Sequence, residues 1–234
     1  MEFFYLLLAG FLVLLTKYKI KRLIEKEALN MTQINSREKI LFVAGKLFAE
    51  KGFYGVGIRE ITAAAEVNSS AISYYFGGKY GLYCAVIENV ASMLTSVFDK
   101  KDTQKLLPCE TIRLYVETVQ KLHCRYPYFV RLLYHELLMP TDVMNNFATE
   151  KLLPVVDILR CALKRGKDSG LFLVDLDIDK AIIMLAGAIN FYYLARPIHQ
   201  SIIKQDEVFA DTYIDTVLTV FLQGISRSEK NEKI

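Results

Sequence analysis

Tryptophan is absent from the 234-residue sequence, and proline, glycine and histidine are scarce, with 5, 12 and 3 residues respectively. Repeated short alternating runs bounded by turn residues are also missing, which argues against a fold rich in β-strands. Leucine, isoleucine, alanine, lysine and glutamate are frequent, and this composition favours helices. We therefore expect an all-α fold, in a chain long enough for two modest domains or one large domain.

A strong excess of charge and a cluster of reactive side chains are also lacking. The formal charge of +3 is too small to indicate nucleic-acid binding by itself, so any DNA affinity must come from local basic groups and helix N-termini. The three histidines are scattered, and the sequence has no cluster of His, Cys or carboxylate residues at catalytic spacing. Both observations argue against an enzyme, a metal site or a bound cofactor. The four cysteines never form a CxxC pair, which predicts reduced, buried thiols in a cytosolic protein, with a redox sensor as the alternative: Cys84, Cys109, Cys124 and Cys161.

The stretch from Ile58 to Phe76 predicts two short helices joined by a tight turn. In the first helix, three- and four-residue spacing places Ile58, Ile61, Ala64 and Ala65 on the inner face, with Arg59, Glu60 and Thr62 outside. Val67 closes the turn, and Asn68 is a natural N-cap for the second helix. That helix turns its apolar side inward and its hydroxyls outward; the inner set is Ala71, Ile72, Tyr75 and Phe76, and the outer set is Ser69, Ser70, Ser73 and Tyr74.

The outer face of the second helix carries no carboxylate, so it can approach a polyanion closely. Its short hydroxyl side chains can donate hydrogen bonds to phosphate oxygens or base edges, as a recognition helix in the major groove does. The alternative is an ordinary pair of core helices with a polar outer face. Periodicity alone does not distinguish the two interpretations.

A set of spaced residues between Arg37 and Val86 adds to this pattern: Leu47-Phe48, Gly52-Phe53, Ile58-Arg-Glu-Ile61, Ala65-Glu-Val67, Tyr74-Tyr-Phe76, Lys79 and Leu82-Tyr83. The stretch resembles the DNA-binding domain of the tetracycline-repressor (TetR) family of bacterial transcriptional regulators. The resemblance implies an N-terminal three-helix helix-turn-helix domain whose third helix enters DNA. It also implies a C-terminal helical domain for ligand binding and dimerisation.

The expected DNA-binding surface follows from the resemblance and the outer face together. Arg59, Tyr74 and Lys79 are expected to contact phosphates, although Lys79 taken alone would be an ordinary solvated residue. Ser69, Ser70 and Ser73 are expected to face the bases, and Asn68 and Ala71 are expected to belong to the same DNA-binding surface. The sequence departs from the family pattern at three positions: Gly57 replaces a capping Thr, Glu66 replaces the Gly of the turn, and Ser73 replaces a frequent Tyr. The Glu66 substitution costs little if the backbone there is not strongly left-handed.

The first 34 residues form an apolar extension that lies outside this pattern. Phe3 to Leu15 is an uninterrupted apolar run of about 20 Å as a helix, which is short against the ~30 Å core of a bilayer. Positive charge follows the run and no small-residue cleavage site is present, unlike a signal peptide. Either the segment enters a membrane, with the basic residues on the cytoplasmic side, or the start is placed too early and Met31 begins the protein. Family members usually have a short polar lead, which favours the second interpretation.

Beyond residues 35–80 of the DNA-binding domain, we expect an effector-binding and dimerisation domain over 81–226 and a tail over 227–234. Apolar spacing predicts a long helix from Lys79 to Asp99, and further helices from about Pro108. The predicted breaks fall near Tyr126-Pro127, Pro140-Thr141, 166–175 and 196–206. An effector pocket for a small apolar or aromatic molecule is predicted from aromatic and titratable residues that are close in sequence: Tyr115, His123, Tyr126, Tyr134, His135 and Met139. Each of these residues could equally be an ordinary core or surface residue.

The last two long apolar helices, Ala181 to Tyr193 and Thr212 to Leu222, are more apolar than one packed face requires. We expect them to form a four-helix homodimer interface, the alternative being burial within one subunit. The acidic run Asp175 to Asp179 is expected to cap a helix rather than bind calcium. Together with these features, the resemblance to the TetR family implies a cytoplasmic, nucleoid-associated repressor that binds a double-stranded palindromic operator and is released by an effector. The alternatives are a membrane-tethered regulator and a membrane-attached helical lipid-binding protein.

Overall fold

The computed structural model describes residues 36–99, 102–143, 148–202 and 209–227. Within these ranges the protein is all-α, as predicted, and one isolated antiparallel bridge joins Phe172 to Ser226. The nine α-helices of the described ranges are α1 Ser36–Lys51, α2 Ile58–Ala65, α3 Ser70–Phe76, α4 Lys79–Asp99, α5 Pro108–Arg125, α6 Phe129–Leu138, α7 Leu153–Asp168, α8 Ile178–Ile202 and α9 Phe209–Ile225. A short π-helical segment, Ala148–Leu152, leads directly into α7.

Helix α1 begins at Ser36, with Glu38 in its first turn, and ends where Gly52 takes a left-handed backbone (φ 69°). The amide of Gly52 donates to the carbonyl of Phe48 at 2.9 Å, which closes the last turn. This stop allows the chain to turn into the loop that precedes α2. Helices α2 and α3 then pack on α1, and α3 also packs along the start of α4.

Two sides of α1 are buried. On one side the Phe48 ring packs edge-on against Tyr83 of α4, with ring centroids 4.9 Å apart. On the other side Gly45 lies under the ring of Tyr128, so close that a Cβ at Gly45 would be 2.5 Å from the ring. Val43 is only partly buried, whereas Leu41, Gly45 and Ala49 are buried. Helix α1 therefore belongs to the core of both halves of the protein.

The long helix α4 has the predicted bounds, and Leu82, Val86 and Val90 are buried along it. It leads into the C-terminal domain, where α5 packs against α7 and α8 packs against α7 and α9. The predicted helix cap before α8 is present, because the Asp177 carboxylate accepts a hydrogen bond from the Lys180 amide at 3.1 Å.

The predicted break at 196–206 is wrong in its first part, because α8 continues through position 197 to Ile202. A proline inside a helix costs about 3 kcal/mol, and α8 continues despite this local penalty. By length and composition alone, two helical stretches within the described ranges, Lys79–Phe98 and Ile178–Arg196, could cross a membrane. Core helices of proteins that never enter a membrane meet the same criterion. The apolar segment Phe3 to Leu15 lies outside the described residues.

Candidate nucleic-acid interface

The turn between α2 and α3 is built on a left-handed residue that is not glycine. Glu66 has φ 53° and ψ 47°, and its amide donates to the carbonyl of Ala63 at 3.2 Å. The amide of Val67 donates to the carbonyl of Thr62 at 3.0 Å. The backbone is therefore left-handed, so the condition under which Glu66 would cost little is not met, and this conformation costs a non-glycine residue about 1–2 kcal/mol.

Asn68 organises the start of α3, as its sequence position predicted. Its side-chain Oδ1 accepts hydrogen bonds from the amide of Ser70 at 3.0 Å and from the hydroxyl of Ser70 at 3.1 Å. One of the free amides at the helix N-terminus is thereby satisfied. The hydroxyl of Ser70 is consequently held by Asn68 in the absence of DNA.

The outer face of α3 is exposed where the periodicity placed it. Ser69, Ser70, Ser73 and Tyr74 are all exposed, with Tyr74 reaching 82%. Ile72 is fully buried behind them, and Ala71 is partly buried. Because α3 has only seven residues and carries no charged side chain, its surface consists of hydroxyls, an aromatic edge and backbone.

Three neighbouring positions differ from the helical-wheel expectation. Thr62 is buried, and its hydroxyl donates to the carbonyl of Arg59 at 3.1 Å. Ala64 is exposed, and Tyr75 is 37% exposed with its ring edge-on to Tyr74 at 4.9 Å. The reason is that α2 and α3 are only about two turns long, so their orientation follows the packing on α1 and α4 more than their own pattern.

Each carboxylate of α2 and the following turn is paired with a lysine of α1. Glu66 lies 2.7 Å from Lys39, and Glu60 forms an ion pair with Lys51. The hydrogen bond from Lys39 lowers the pKa of Glu66, and the bond from Lys51 does the same for Glu60. These pairs are exposed and contribute little stability, but they reduce the negative charge near α3. Arg59 of α2 is exposed on the same unit.

Lys79 is held in place by an aromatic ring. Its ammonium lies 4.6 Å above the ring centroid of Phe53, a cation–π contact that restricts the side chain at the N-terminus of α4. Arg37 makes a similar contact with the ring of Phe76 at 5.4 Å, behind α3. Sequence reasoning missed Arg37 because the contact joins the first turn of α1 to the last residue of α3.

Gly57 caps α2 without a side-chain hydrogen bond, as its lack of a hydroxyl predicted.

A buried carboxylate connects the expected DNA-binding head, which consists of α1 to α3 and the first turns of α4, to the C-terminal domain. Glu136 of α6 is only 2% exposed and accepts hydrogen bonds from the hydroxyl of Tyr83 and from the amide and hydroxyl of Thr141, the last two at 3.0 and 2.9 Å. Burial, together with the hydrogen bond to Glu136, raises the pKa of Tyr83 well above its usual range. Tyr83 also packs on Phe53, the ring beneath Lys79. A continuous set of contacts therefore runs from Lys79 to α6.

The six residues of the predicted effector pocket do not line one cavity. His135 and Met139 line a small recess of about 140 Å³ beside Gly52, and Met139 is 71% exposed. Tyr134 and His135 border a second recess of about 380 Å³. Tyr115 is buried in the core, where burial raises its pKa to about 12. The Tyr126 hydroxyl accepts a hydrogen bond from Asn89 at 3.1 Å.

His123 is the predicted pocket residue with the most distinctive surroundings. It is 2% exposed, and its Nε2 lies 2.9 Å from Oδ1 of Asn190. Its ring stacks on Tyr193 with centroids 4.1 Å apart. Burial lowers the pKa of His123 to about 4, so the imidazole is neutral at physiological pH. Its second nitrogen, Nδ1, has no hydrogen-bond partner among the described residues.

A second exposed surface lies on α8 and α9 and is apolar. Ile183 and Met184 are 70% and 69% exposed, and Phe191 is 56% exposed on the same side of α8. Gly187 lies between them with no atom within 4 Å of its Cβ position. On α9, Val220 is 62% exposed. Other large apolar residues of α8 are buried within the subunit: Ile182, Leu185, Ile189 and Tyr192.

The exposure of the cysteines differs in part from the prediction of buried thiols. Cys84 and Cys109 are partly buried, and burial raises the pKa of both thiols. Cys124 and Cys161 are exposed, because they lie on the outer sides of α5 and α7. No group of His, Cys, Asp or Glu side chains in the described part of the chain could hold a metal ion.

A short helix with an exposed hydroxyl face, held by a second helix at a tight turn and flanked by basic residues, defines a helix-turn-helix DNA-binding protein. Residues 40–86 match the family described as "Bacterial regulatory proteins, tetR family", and residues 108–212 match "Tetracyclin repressor-like, C-terminal domain". The chain belongs to the TetR family and is a DNA-binding transcriptional regulator. Members of this family are DNA-binding regulators rather than enzymes.

Named relatives and solved structures agree with this assignment. The chain is 30% identical over 161 residues to the HTH-type transcriptional repressor NicS of Pseudomonas putida, covering 67% of this chain and 75% of that protein. It is 24% identical over 192 residues to the HTH-type transcriptional regulator RutR of Escherichia coli, covering 81% and 90%. The fold is similar to the TetR family regulator PfmR of Thermus thermophilus, with a TM-score of 0.63, 20% identity and coverage of 80% and 99%.

Proposed function

We propose that the protein is a homodimeric, ligand-responsive transcriptional repressor that binds a palindromic operator. Regulators of the TetR family bind DNA operators and small-molecule effectors and act as dimers. One relative, NicS, is named as a transcriptional repressor. The observation that carries the proposal for this chain is the exposed face of α3, which has hydroxyls and no carboxylate.

The DNA contacts proposed here follow from exposure and charge. Ser69, Ser70 and Ser73 face the bases, because they share the outer side of α3. Arg59, Tyr74 and Lys79 contact phosphates on either side of them. Asn68 and Ala71 complete the surface, Asn68 chiefly by holding the N-terminus of α3. In a dimer, the two copies of α3 would enter successive major grooves about 34 Å apart.

The dimer interface is assigned to α8 and α9. Large exposed apolar side chains in one patch are costly in water and usually mark a contact surface. Ile183, Met184 and Phe191 form such a patch on α8, and Val220 adds to it from α9. The open space beside Gly187 would let the partner helix approach closely. Two-fold symmetry then brings two helices from each subunit together.

The effector is proposed to act through the contacts between α6 and the DNA-binding head. A molecule bound in the C-terminal domain changes operator affinity only if it binds one arrangement of the heads better than the other. The hydrogen bond from Tyr83 to Glu136 joins α4 to α6 over 53 positions of sequence, so a shift of α6 would reach the head directly. The protein would act in the cytoplasm, at the nucleoid.

The membrane-attached alternatives depend on residues 3–15, which lie outside the described part of the chain. No feature of the described residues favours a lipid-binding function. Fractionation of cells that express the native gene would separate a tethered regulator from a freely diffusing one. Recovery in the membrane fraction would contradict the cytoplasmic assignment.

The proposal is tested by selecting bound fragments from the organism's own DNA and measuring their affinity for variants of α3. Ser73→Asp places a carboxylate on the carboxylate-free face and should weaken binding at least about tenfold by repulsion from phosphates. Ser169→Asp adds the same charge at the end of α7, away from α3, and should leave binding unchanged. Equal affinities of the two variants, or no preference of the parent protein for any duplex over heparin, would contradict the proposal.

A further inference from the structure

A cleft of about 440 Å³ lies where α1 meets the C-terminal domain. Three parts of the chain enclose it: α1, the corner between α5 and α6, and the second half of α8. It lies beside the close contact of Gly45 with the Tyr128 ring. The residues that line it are Lys46, Ala49, Glu50, His123, Pro127, Tyr128, Arg131, Tyr193 and Arg196.

The inner wall of the cleft contains His123 with one unsatisfied nitrogen. Asn190 donates its Nδ2 to the carbonyl of Ala186 at 2.9 Å, so its Oδ1 is the atom that faces the imidazole. Since Oδ1 can only accept, His123 donates from Nε2, and Nδ1 is left as a buried acceptor. Nδ1 has no partner among the described residues. Buried polar atoms of this kind are rare, and a donor supplied from outside satisfies them.

The rim of the cleft is predominantly positive. Lys46, Arg131 and Arg196 carry three positive charges, against the single carboxylate of Glu50. Both arginines are exposed, and neither makes an ion pair with any residue in the described ranges. Guanidinium groups bind carboxylates through two parallel hydrogen bonds. The rim therefore suits an anion, and the inner wall suits a hydrogen-bond donor.

We propose that this cleft binds a small carboxylate that also carries a hydroxyl or N–H donor. The donor group would bond to Nδ1 of His123, and the carboxylate would lie between Arg131 and Arg196. A volume of about 440 Å³ is within the range of small-molecule sites. The rings of Tyr128 and Tyr193 make a planar aromatic molecule a suitable probe.

The location of the cleft gives the ligand a direct contact with the DNA-binding head. Lys46, Ala49 and Glu50 belong to α1, whereas His123, Arg131 and Arg196 belong to the C-terminal domain. A bound carboxylate would therefore restrict α1 relative to α5, α6 and α8. Its role as an effector rests on the proposed regulatory function, whereas its binding does not.

Binding is tested on the full-length protein without DNA, by ligand-observed NMR and calorimetry. The probes are 2-, 3- and 4-hydroxybenzoate, which vary the distance between donor and carboxylate. Benzoate lacks the donor and phenol lacks the charge. We expect at least one hydroxybenzoate to bind about tenfold more tightly than both benzoate and phenol. Benzoate lacks the hydrogen bond to Nδ1 and phenol lacks the carboxylate–arginine contact, and the loss of either costs about that factor. No binding of any hydroxybenzoate at millimolar concentration, or equal binding of benzoate, would overturn the proposal.

Variants then locate the site. The double substitution Arg131→Gln and Arg196→Gln changes exposed side chains and should abolish binding of the preferred probe. Arg113→Gln changes another exposed arginine, on α5 and outside the cleft, and should leave it unchanged. His123→Phe should remove the preference for a hydroxybenzoate over benzoate; if that variant does not fold, the comparison of probes in the parent protein still tests the acceptor. Binding that survives the double substitution would overturn the site.

The regulatory consequence is measured separately, with operator DNA. The bound probe should change operator affinity in the parent protein and leave it unchanged in the double arginine variant. If the probe binds but operator affinity is constant, the site stands and its effector role is refuted. If no probe binds while the operator is still recognised, the proposed function stands and the cleft assignment fails.

Discussion

The DNA-binding head and the C-terminal domain differ in the side chains that each exposes and in the polar side chains that each buries. The head buries Ile61 and Ile72 and exposes the hydroxyls of α3. The C-terminal domain buries His123 and Glu136, each 2% exposed, and exposes Ile183 to 70%. Exposed hydroxyls are satisfied by water, whereas an exposed apolar patch and a buried unpaired nitrogen are both unfavourable until something covers or satisfies them. The C-terminal domain therefore carries the clearer structural signs of absent partners.

The largest expected effect tests the exposed apolar surface. Ile183→Asp would bury a charge in the proposed dimer interface and should raise the dimer dissociation constant at least about hundredfold, or about 3 kcal/mol. Analytical ultracentrifugation over a micromolar concentration range measures this. Val174→Asp, at an equally exposed apolar residue before α8 (73%), is the matched control. If both variants remain dimeric, the interface lies elsewhere.

The corresponding substitution in the head tests whether the DNA-binding surface and the dimer interface are separate. Tyr74 is 82% exposed on α3. Tyr74→Asp should leave the protein dimeric and remove operator binding, since only the DNA-facing surface gains charge. A monomeric Tyr74→Asp protein would show that the head takes part in dimerisation and would remove the contrast between the two regions.

The next effect tests the buried polar groups. His123 has a pKa of about 4 in the folded protein, against about 6.5 in the unfolded chain. Below pH 6.5 the unfolded chain binds a proton that the folded protein excludes, so the free energy of unfolding falls as the pH drops. The loss should reach about 2 kcal/mol between pH 7.5 and pH 5.

Urea unfolding at both pH values measures this difference. His123→Gln removes the titrating group and keeps a donor for Asn190, so the loss should shrink by most of that amount. An unchanged pH dependence in His123→Gln would assign the effect to other groups. The described residues of the head contain no histidine, so we expect this pH dependence to originate in the C-terminal domain.

A smaller effect tests the phosphate contact at the edge of the head. Lys79→Gln should weaken binding to all DNA sequences alike and reduce the slope of log affinity against log salt by about 1. Lys164→Gln, an exposed lysine of α7, should change neither quantity. Fluorescence anisotropy at several salt concentrations measures both. A salt slope equal to that of the parent protein would remove Lys79 from the phosphate contacts.

The smallest effect concerns the loop before α2. Gly57 has φ −99° and ψ 151°, and nothing lies within 4 Å of its Cβ position. Gly57→Thr should raise the free energy of unfolding by about 1 kcal/mol, through a new cap and a less flexible unfolded chain. Gly55→Thr should destabilise the protein instead, because a Cβ there lies 2.3 Å from the carbonyl oxygen of Lys51. Thermal unfolding of both variants checks the opposite signs.

Much of the fold could be predicted because helical periodicity is local. The bounds of α4 and the hydrogen bond of Asn68 to the first turn of α3 follow from residues within a few positions of one another. Predictions failed where distant packing outweighed the local pattern. Thr62 is buried against its helical-wheel position. Helix α8 also continues through position 197, despite the local cost of a proline there.

The same difference between local and distant contacts explains which candidate sites could be predicted. The outer face of α3 is set by seven consecutive residues, so its residues could be proposed from periodicity and resemblance. The effector pocket was predicted from residues that are close in sequence, and in the structure these residues lie in several different environments. Glu136 and Arg37 gave no local signal, because their partners, Tyr83 and Phe76, are far away in the chain.

The sequence by itself determined the all-helical fold, the helix-turn-helix and its hydroxyl face, since these depend on spacing over about twenty residues. Only the tertiary structure decided which apolar residues of α8 face outward, how α1 contacts both domains, and which groups meet at the cleft. The pair His123 and Asn190 is 67 positions apart. Contacts of that separation arise from the packing of whole helices, and no periodicity within a single helix encodes them.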